Sequence, residues 1–523
     1  MANQKGAPDR RSVCLSIVSS PLFAASCGRR PSASEATASL TVMQTEGPRS
    51  MDPADHTATL TGAILDPMYE GLVRQSSGQG VEPLLATGWT SSADALAWTF
   101  QLRDGIRFHD GAEMDADAAA RAFRRLIDPG SALAAAGKFI PVIASCEALD
   151  RRTIRFRLRK PYADFLTLLA ANQAAVVSPR AVASGAIGRA ACGTGPFRFV
   201  AWRSEEYVLQ RRNGDYWGER PRLESLRWRW SSEPSVLYMA LRTGDADVVA
   251  PLSPVFAHAT AANASLRLIH QSATTFFWIA LNTRLRPFDD ARVRQALGYA
   301  TDRAALVAGL LGGFGQAATA PLAGATPFVD PDPAGLRFDP ELARRLLAQA
   351  GHAKGLRIAI AVQDDDELLI EALQAMWREV GVALEIRRLE GGVYAQAAFA
   401  TPPVKAAEGI GGVLSSWSSG VVPDLQLRPL FASASAAPAG ANLGFFRDPA
   451  VDALIDAGAA TSDPIARARL YAAVQRRIVA EAPAVLLYTR DDLAGVRRGV
   501  SGVAFRPGGE LIVSAAGKPS GPG

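Results

Sequence analysis

The stretch between residues 415 and 428 has the residue types that hold a small molecule. Its first half reads Ser415-Ser416-Trp417-Ser418-Ser419-Gly420, which combines a flat aromatic wall, four hydroxyls and a flexible backbone. Asp424 and Arg428 follow and add charges of opposite sign. A small-molecule pocket needs apolar walls with a few placed polar groups, so this stretch has the right ingredients. Taken alone, the same residues fit an ordinary surface loop around a core tryptophan better.

Residues arranged for catalysis or metal binding are missing from the sequence. No histidine is paired at metal-ligand spacing, and neither His-Glu-x-x-His nor Gly-x-Ser-x-Gly occurs. The glycines of Gly313-Phe314-Gly315 follow a helical run and not a strand, which argues against a dinucleotide loop. Asp364-Asp365-Asp366 lacks calcium-loop spacing and fits the start of a helix better. We therefore expect a protein that is not an enzyme and that needs no cofactor or metal.

The composition is typical of a globular protein with more than one lobe. A chain of 523 residues is too long for one hydrophobic core, and 48% hydrophobic with 20% charged residues is ordinary. The net charge is +5, from 56 basic and 51 acidic residues that are interspersed. Because this asymmetry is weak, we expect no nucleic-acid partner. The cysteines fit no zinc pattern, and whether Cys146 and Cys192 form a disulfide is left open.

Residues 1–38 read as an export leader followed by a tether. Arg10-Arg11 precede an apolar stretch over residues 13–25, which ends in small residues. The sequence Ala24-Ala25-Ser26-Cys27 resembles a bacterial lipobox, so Cys27 is a predicted lipidation site that would tether the protein to a membrane. The lipobox prefers leucine where Ala24 stands, and simple cleavage with release into the periplasm is the alternative.

The spacing of apolar residues beyond residue 38 predicts alternating strands and helices. Strands are predicted over residues 197–202, 207–212 and 226–230, where large apolar residues alternate with polar ones. A helix is predicted over residues 63–72. Aspartates are favoured N-caps, and four of them precede predicted helices. These caps are Asp115, Asp290, Asp339 and Asp463.

Four blocks of residues occur in one order along nearly the whole chain after residue 40. They are residues 98–111, residues 193–197 with Asn213, Tyr216-Trp217-Gly218 and the helix end at 244–248, residues 280–297, and residues 338–351. In this order the blocks closely resemble the extracytoplasmic solute-binding proteins of peptide- and nickel-type ABC transporters. His109 lies in the first block, where a structural role is expected.

The resemblance implies an α/β fold of the periplasmic-binding-protein type II, with two lobes, a hinge and an extra inserted domain. Residues 39–82, 193–272 and 489–523 would form a discontinuous lobe I. Residues 83–192 would form the inserted domain, and residues 273–488 would form lobe II. Ligand would bind in the cleft between the lobes.

The resemblance also implies a receptor function in the periplasm. The protein would be a monomer that binds a peptide-like solute, namely an oligopeptide, a dipeptide or glutathione, and delivers it to an ABC permease and its ATPase. Residues 427–433 and Asn442 look most like the glutathione-type subgroup. Binding of a nickel chelate or another small solute is the alternative within the family. A secreted peptidase or a peptide-binding chaperone is the alternative of another class.

In the family, the chain after the first strand and the tryptophan-containing segment reach the ligand cleft. The ligand contacts that this implies are Thr45, Glu46, Phe277, Trp278, Trp417, Ser418, Ser419, Asp424 and Arg428. Peptide binders usually carry Asp-Pro here, whereas this chain has Val422-Pro423-Asp424. Asp424 is therefore either the partner of a ligand ammonium group or the N-cap of the helix that follows.

Overall fold

A computed structural model describes residues 38–76, 80–330, 335–418 and 420–518. Sheets of seven, six and four strands organise the molecule. Two ribbons complete the strands, Val73–Gln75 with Val81–Pro83 and Ala504–Phe505 with Leu511–Ile512. The predicted lipidation site Cys27 and the predicted ligand residue Ser419 lie outside the described residues.

The seven-stranded sheet is built from three distant parts of the chain. In spatial order its strands are Leu266–Gln271, Asp492–Arg497, Val248–Val249, Ser39–Gln44, Ser225–Trp230, Tyr207–Arg212 and Phe197–Arg203. Ser39–Gln44 runs parallel to both of its neighbours, and its Leu40 and Val42 are fully buried. All seven strands fall within the segments expected to form lobe I, and we use that name for this part of the molecule.

The four-stranded sheet is antiparallel and comes from one continuous segment. In spatial order its strands are Ala86–Ser91, Ala97–Leu102, Thr153–Leu158 and Ile143–Ala148. Alternate residues of the third strand, Ile154, Phe156 and Leu158, are buried, as the period of two requires. Phe156 packs edge-on against Phe123 of a covering helix. This inserted domain shares one continuous hydrophobic core with lobe I.

The six-stranded sheet forms lobe II. In spatial order its strands are Gly315–Ala317, Ala484–Arg490, Thr275–Leu281, Gly412–Ser418, Leu356–Gln363 and Val382–Leu389. Alternate residues of Thr275–Leu281 enter two separate cores, because successive side chains point to opposite faces. Phe276 and Trp278 enter one core, while Phe277 and Ile279 enter the other.

Helices cover these sheets and connect their strands. They are Thr59–Leu65, Ala116–Leu126, Ala136–Phe139, Phe165–Leu169, Pro179–Ala183, Pro234–Thr243, Ala257–Ala262, Ala291–Tyr299, Arg303–Leu311, Pro340–Gln349, Glu367–Glu379, Gly391–Ala398, Pro402–Ala407, Asp424–Phe431, Pro449–Ala460 and Pro464–Glu481. All four predicted aspartate caps accept a backbone N–H at their helix starts. Among the described residues, none of the helices has the length and apolar character needed to cross a membrane.

The helix predicted over residues 63–72 is misplaced, since it spans Thr59–Leu65. Pro67 lacks an amide hydrogen and cannot continue the helix. The carbonyls of Pro67 and Met68 instead accept the amides of Phe197 and Gly195 at 2.9 and 3.1 Å. A side chain on Gly195 would lie 2.6 Å from the Pro67 oxygen, so this close backbone pairing requires glycine. Pro67 therefore ends the helix locally, and the pairing with residues 195–197 fixes the chain beyond it.

The chain passes twice between the sheets of lobe I and lobe II. It leaves Leu266–Gln271 and enters Thr275–Leu281 through residues 272–274. It returns from Ala484–Arg490 to Asp492–Arg497 through the single residue Asp491. The two crossings lie side by side, because Gln271 pairs with Asp492 and Phe276 pairs with Thr489.

Candidate ligand-binding site

A cavity of about 540 Å³ lies where lobe I, lobe II and the inserted domain meet, and we call it the main chamber. Lobe I supplies residues that follow its first strand, together with Asp492 and Leu493. Lobe II supplies Ser416, Trp417 and Ser418, and the inserted domain supplies Lys138. The volume is within the range of about 300–1,000 Å³ that is usual for small-molecule sites.

A second cavity of about 140 Å³, the side chamber, adjoins the main chamber. Six residues line both cavities, which makes the two chambers neighbours along one cleft. These residues are Thr57, Ala58, Thr59, Lys138, Ser418 and Gly508. The cleft can therefore hold an elongated solute that extends from one chamber into the other.

Four of the predicted ligand residues line the main chamber. Thr45 and Glu46 directly follow the strand Ser39–Gln44, and Trp417 and Ser418 end the strand Gly412–Ser418. Trp417 is half-buried because its ring also packs against a core of lobe II. Its indole Nε1 donates to the carbonyl oxygen of Leu425 at 2.9 Å, which fixes the ring orientation.

Phe277 and Trp278 line neither chamber. Trp278 is only 2% exposed and stacks on Phe276 at a centroid distance of 5.8 Å. Phe277 packs on Tyr488 at 4.9 Å, and the Arg490 guanidinium lies over its ring. Arg490 itself lines the main chamber, so Phe277 lies one residue behind the wall. Both aromatic residues belong to the buried strand Thr275–Leu281 and lie behind the wall of the chamber.

Asp424 and Arg428 also lie outside the lining of both chambers. The Asp424 carboxylate accepts hydrogen bonds from Arg428 Nε at 2.9 Å and from the Tyr162 hydroxyl at 3.4 Å. Arg428 also pairs with Asp456 at 2.7 Å. The ligand contact expected of Asp424 stays a prediction, and the structure shows its carboxylate paired with the half-buried guanidinium of Arg428.

The alternative role for Asp424, as a helix cap, is wrong. The helix spans Asp424–Phe431, and Pro423 stands at the N-cap position without a side-chain hydrogen bond. Asp424 is thus inside the first turn, where it forms an i,i+4 ion pair with Arg428 instead of accepting a backbone N–H.

Two acidic groups at the cleft have unusual protonation because they are buried. Burial raises the pKa of Asp492 in the main chamber to about 6, although Gln271 Nε2 donates to it at 3.3 Å. Burial likewise raises the pKa of Glu510 in the side chamber to about 7. Arg506 pairs with Glu510 at 2.6 Å and with Asp66 at 2.5 Å.

The charged lining residues missed by the sequence analysis are Lys138, Arg490, Asp492, Arg506 and Glu510. Of these, only Lys138 carried a usable signal. It is a single charge within the apolar run Ala132-Leu133-Ala134-Ala135-Ala136-Gly137-Lys138-Phe139, which suggests a positioned cation. The others follow strands or lie in the C-terminal part of the chain, where nothing local distinguishes a cleft from solvent.

The histidine, cysteines and aspartate run considered in the sequence analysis lie outside both chambers. His109 Nε2 contacts the carbonyl oxygen of Gly195 at 2.9 Å, and burial lowers the pKa of His109 to about 4. Cys146 and Cys192 are both free thiols. Asp364–Asp366 forms a 3₁₀ turn before the helix Glu367–Glu379. Within the described ranges no cluster of three or more His, Cys, Asp or Glu residues is arranged to hold a metal ion.

Residues 80–435 match the profile of the bacterial extracellular solute-binding proteins, family 5, middle region. The chain belongs to this family. Its members are solute-binding proteins, which agrees with the cleft described above. The predicted resemblance is confirmed.

This family 5 protein is similar to characterised relatives over most of its length. It is 29% identical to the glutathione-binding protein GsiB of Salmonella typhimurium over 468 residues, 88% of this chain and 90% of that one. The dipeptide-binding protein of Pseudoalteromonas sp. SM9913 with Met-Leu superposes with a TM-score of 0.81 at 25% identity, covering 92% of this chain and 100% of that chain.

A second solved structure, the periplasmic binding protein DppA from Helicobacter pylori with the peptide STSA, gives a TM-score of 0.80 at 25% identity. That match covers 92% of this family 5 protein and 99% of DppA. The predicted α/β fold of the periplasmic-binding-protein type II is thereby confirmed.

Proposed function

We propose that this protein is the periplasmic receptor of an ABC importer and that it binds a peptide-like solute, such as a dipeptide, a short oligopeptide or glutathione. The observation that carries the proposal is the main chamber of about 540 Å³, lined by Thr45, Glu46, Trp417 and Ser418. Its aromatic wall, hydroxyls and charges suit a zwitterion with apolar side chains. The relatives that bind glutathione or a dipeptide support the same ligand class.

The receptor would close over its solute by bending at the two adjacent crossings, residues 272–274 and Asp491. Short crossings that lie side by side allow a rotation of lobe II against lobe I without disturbing either core. The closed form would then be recognised by a permease and its ATPase. A lipid on Cys27 would hold the receptor near that permease, and we propose that it acts as a monomer.

A ligand screen followed by thermal unfolding tests the solute class. The probes are glutathione, Met-Leu, the tetrapeptide Ser-Thr-Ser-Ala and the nickel complex of L-histidine. A solute at a hundredfold excess over its Kd should stabilise the folded protein by about 2.7 kcal/mol. We expect at least one peptide to do so while remaining uncleaved by mass spectrometry. Stabilisation by the nickel complex alone would favour the nickel-chelate alternative, and cleavage would favour a peptidase.

Fractionation of cells tests the anchor separately. Wild-type protein should sediment with membranes, and Cys27→Ala should release it into the soluble periplasmic fraction. A wild-type protein that is already soluble would show that the leader is simply cleaved. Light scattering of the purified protein checks the monomer.

A further inference from the structure

Lys138 lies at the junction of the two chambers and lines both. It belongs to the short helix Ala136–Phe139 of the inserted domain and is the only lysine in the lining of either chamber. The other lobes contribute hydroxyl groups beside it, from Thr57, Thr59 and Ser418. The junction therefore combines one cation with several neutral hydrogen-bonding groups.

The ammonium group of Lys138 has no counter-ion. It makes neither an ion pair nor a hydrogen bond with any residue in the described ranges, and the burial of its side chain lowers its pKa. The titratable neighbour is His56, whose pKa is lowered first by burial and also by the Lys138 charge, so its ring is uncharged at neutral pH. A half-buried cation without a partner is unfavourable, and an anion bound beside it would supply the missing counter-ion.

The helix that carries Lys138 is held firmly. Phe139 is buried in the shared core of lobe I and the inserted domain, and Ala136 is also buried. The amide of Ala135 donates to the Ala54 carbonyl oxygen at 3.1 Å, which ties the helix start to lobe I. Arg125 of the neighbouring helix pairs with Asp52 in the same lobe I loop. The ammonium group thus projects from a fixed platform, as a preorganised binding group should.

We propose that Lys138 binds a carboxylate of the solute at the junction of the chambers and so selects ligands that carry an anionic group there. This inference rests on the proposed function and narrows its ligand class. The carboxylate would replace the water around the ammonium group, and the nearby hydroxyls would donate to its remaining lone pairs. Neutral or amidated solutes of the same shape would leave the cation unpaired.

Calorimetric titration with matched acids and amides tests this selection. The probes are glutathione and Met-Leu, each compared with its C-terminal amide, on wild type, Lys138→Met and Lys354→Met. Lys354 is an exposed lysine in a turn of lobe II outside both chambers, so Lys354→Met removes the same charge elsewhere. Wild type and Lys354→Met should bind an acid about thirtyfold or more tightly than its amide.

In Lys138→Met the affinity for the acid should fall to that for the amide, so the preference disappears. The same variant should unfold without ligand at a temperature no lower than wild type, because it loses an unpaired, half-buried charge. A preference for the acid that survives in Lys138→Met would overturn the role of Lys138 and leave the proposed function intact. If wild type binds none of the peptides, the proposed function fails and this inference fails with it.

Discussion

Asp164 of the inserted domain lies 2.5 Å from Arg467 of lobe II, and both side chains are almost fully buried. Next to this pair, the amide of Ala163 donates to the Ala459 carbonyl oxygen at 2.8 Å. Tyr162 reaches Asp424 on the same side. The inserted domain therefore contacts lobe II directly, away from the two backbone crossings.

Breaking the buried pair should destabilise the protein strongly. Asp164→Ala leaves Arg467 buried without a counter-ion, which should cost about 3–5 kcal/mol in urea denaturation. Glu147→Ala is the matched control, because its partner Arg155 forms an exposed pair within the same domain. That control should cost less than about 1 kcal/mol. Equal losses in the two variants would contradict the structural role of Asp164.

Asp424→Asn should change stability without changing ligand affinity. The carboxylate holds Arg428 and does not line a chamber, so its loss weakens a part-buried ion pair. We expect a loss of about 1–3 kcal/mol in the free energy of unfolding. Asp456→Asn removes the more exposed partner of Arg428 and should cost less. A large drop in calorimetric affinity for Asp424→Asn alone would restore its predicted contact with a ligand ammonium group.

Substitutions of Trp417 and Trp278 should have opposite effects, the first on ligand affinity and the second on the stability of the fold. Trp417→Ala removes an aromatic wall of the main chamber and should weaken solute binding by more than about 1 kcal/mol. Trp278→Phe changes a core residue that is 2% exposed, so it should lower the unfolding temperature and leave affinity unaltered. Titration and thermal unfolding of both variants check this. Loss of affinity in Trp278→Phe at unchanged stability would contradict the placement of its ring.

Asp492 should make the unliganded protein less stable as the pH rises. Its pKa is raised to about 6 in the folded state, so ionisation is harder there than in the unfolded chain. The resulting loss in the free energy of unfolding is absent below about pH 4, grows between about pH 4 and pH 6, and is complete above about pH 6. Asp492→Asn should therefore be more stable than wild type at pH 7 by at most about 3 kcal/mol, and the advantage should vanish at pH 4.

Urea denaturation across this pH range measures the effect. Asp104→Asn removes an exposed carboxylate and serves as the matched charge change. A stability difference between Asp492→Asn and wild type that stays constant from pH 4 to pH 7 would show that the burial of Asp492 has no such consequence.

The sequence allowed good prediction of elements with local signals. The caps Asp115 and Asp463 and the strands over residues 197–212 were recoverable because a cap or an alternating pattern acts within a few residues. The helix predicted over residues 63–72 was misplaced because the local stop signal of Pro67 was overlooked.

The binding site was harder to predict from the sequence, because its lining comes from distant parts of the chain. Thr45 and Trp417 could be predicted to reach the cleft only through the family resemblance. Asp424 was assigned to the ligand through the same resemblance, although its ion-pair partner Arg428 stands only four residues away. Lys138 and Asp492 were missed, since their burial follows from the meeting of three parts of the chain.

The position of the strand Asp492–Arg497 determines when the sheet of lobe I and the main chamber can be completed during synthesis. This strand is synthesised late, yet it lies inside the seven-stranded sheet, paired with both Leu266–Gln271 and Val248–Val249. Until it emerges from the ribosome, those two strands have unpaired edges, and the main chamber lacks the wall formed by Asp492 and Leu493. Solute binding thus requires a chain that extends through this strand, so a product truncated before residue 492 lacks part of the binding site.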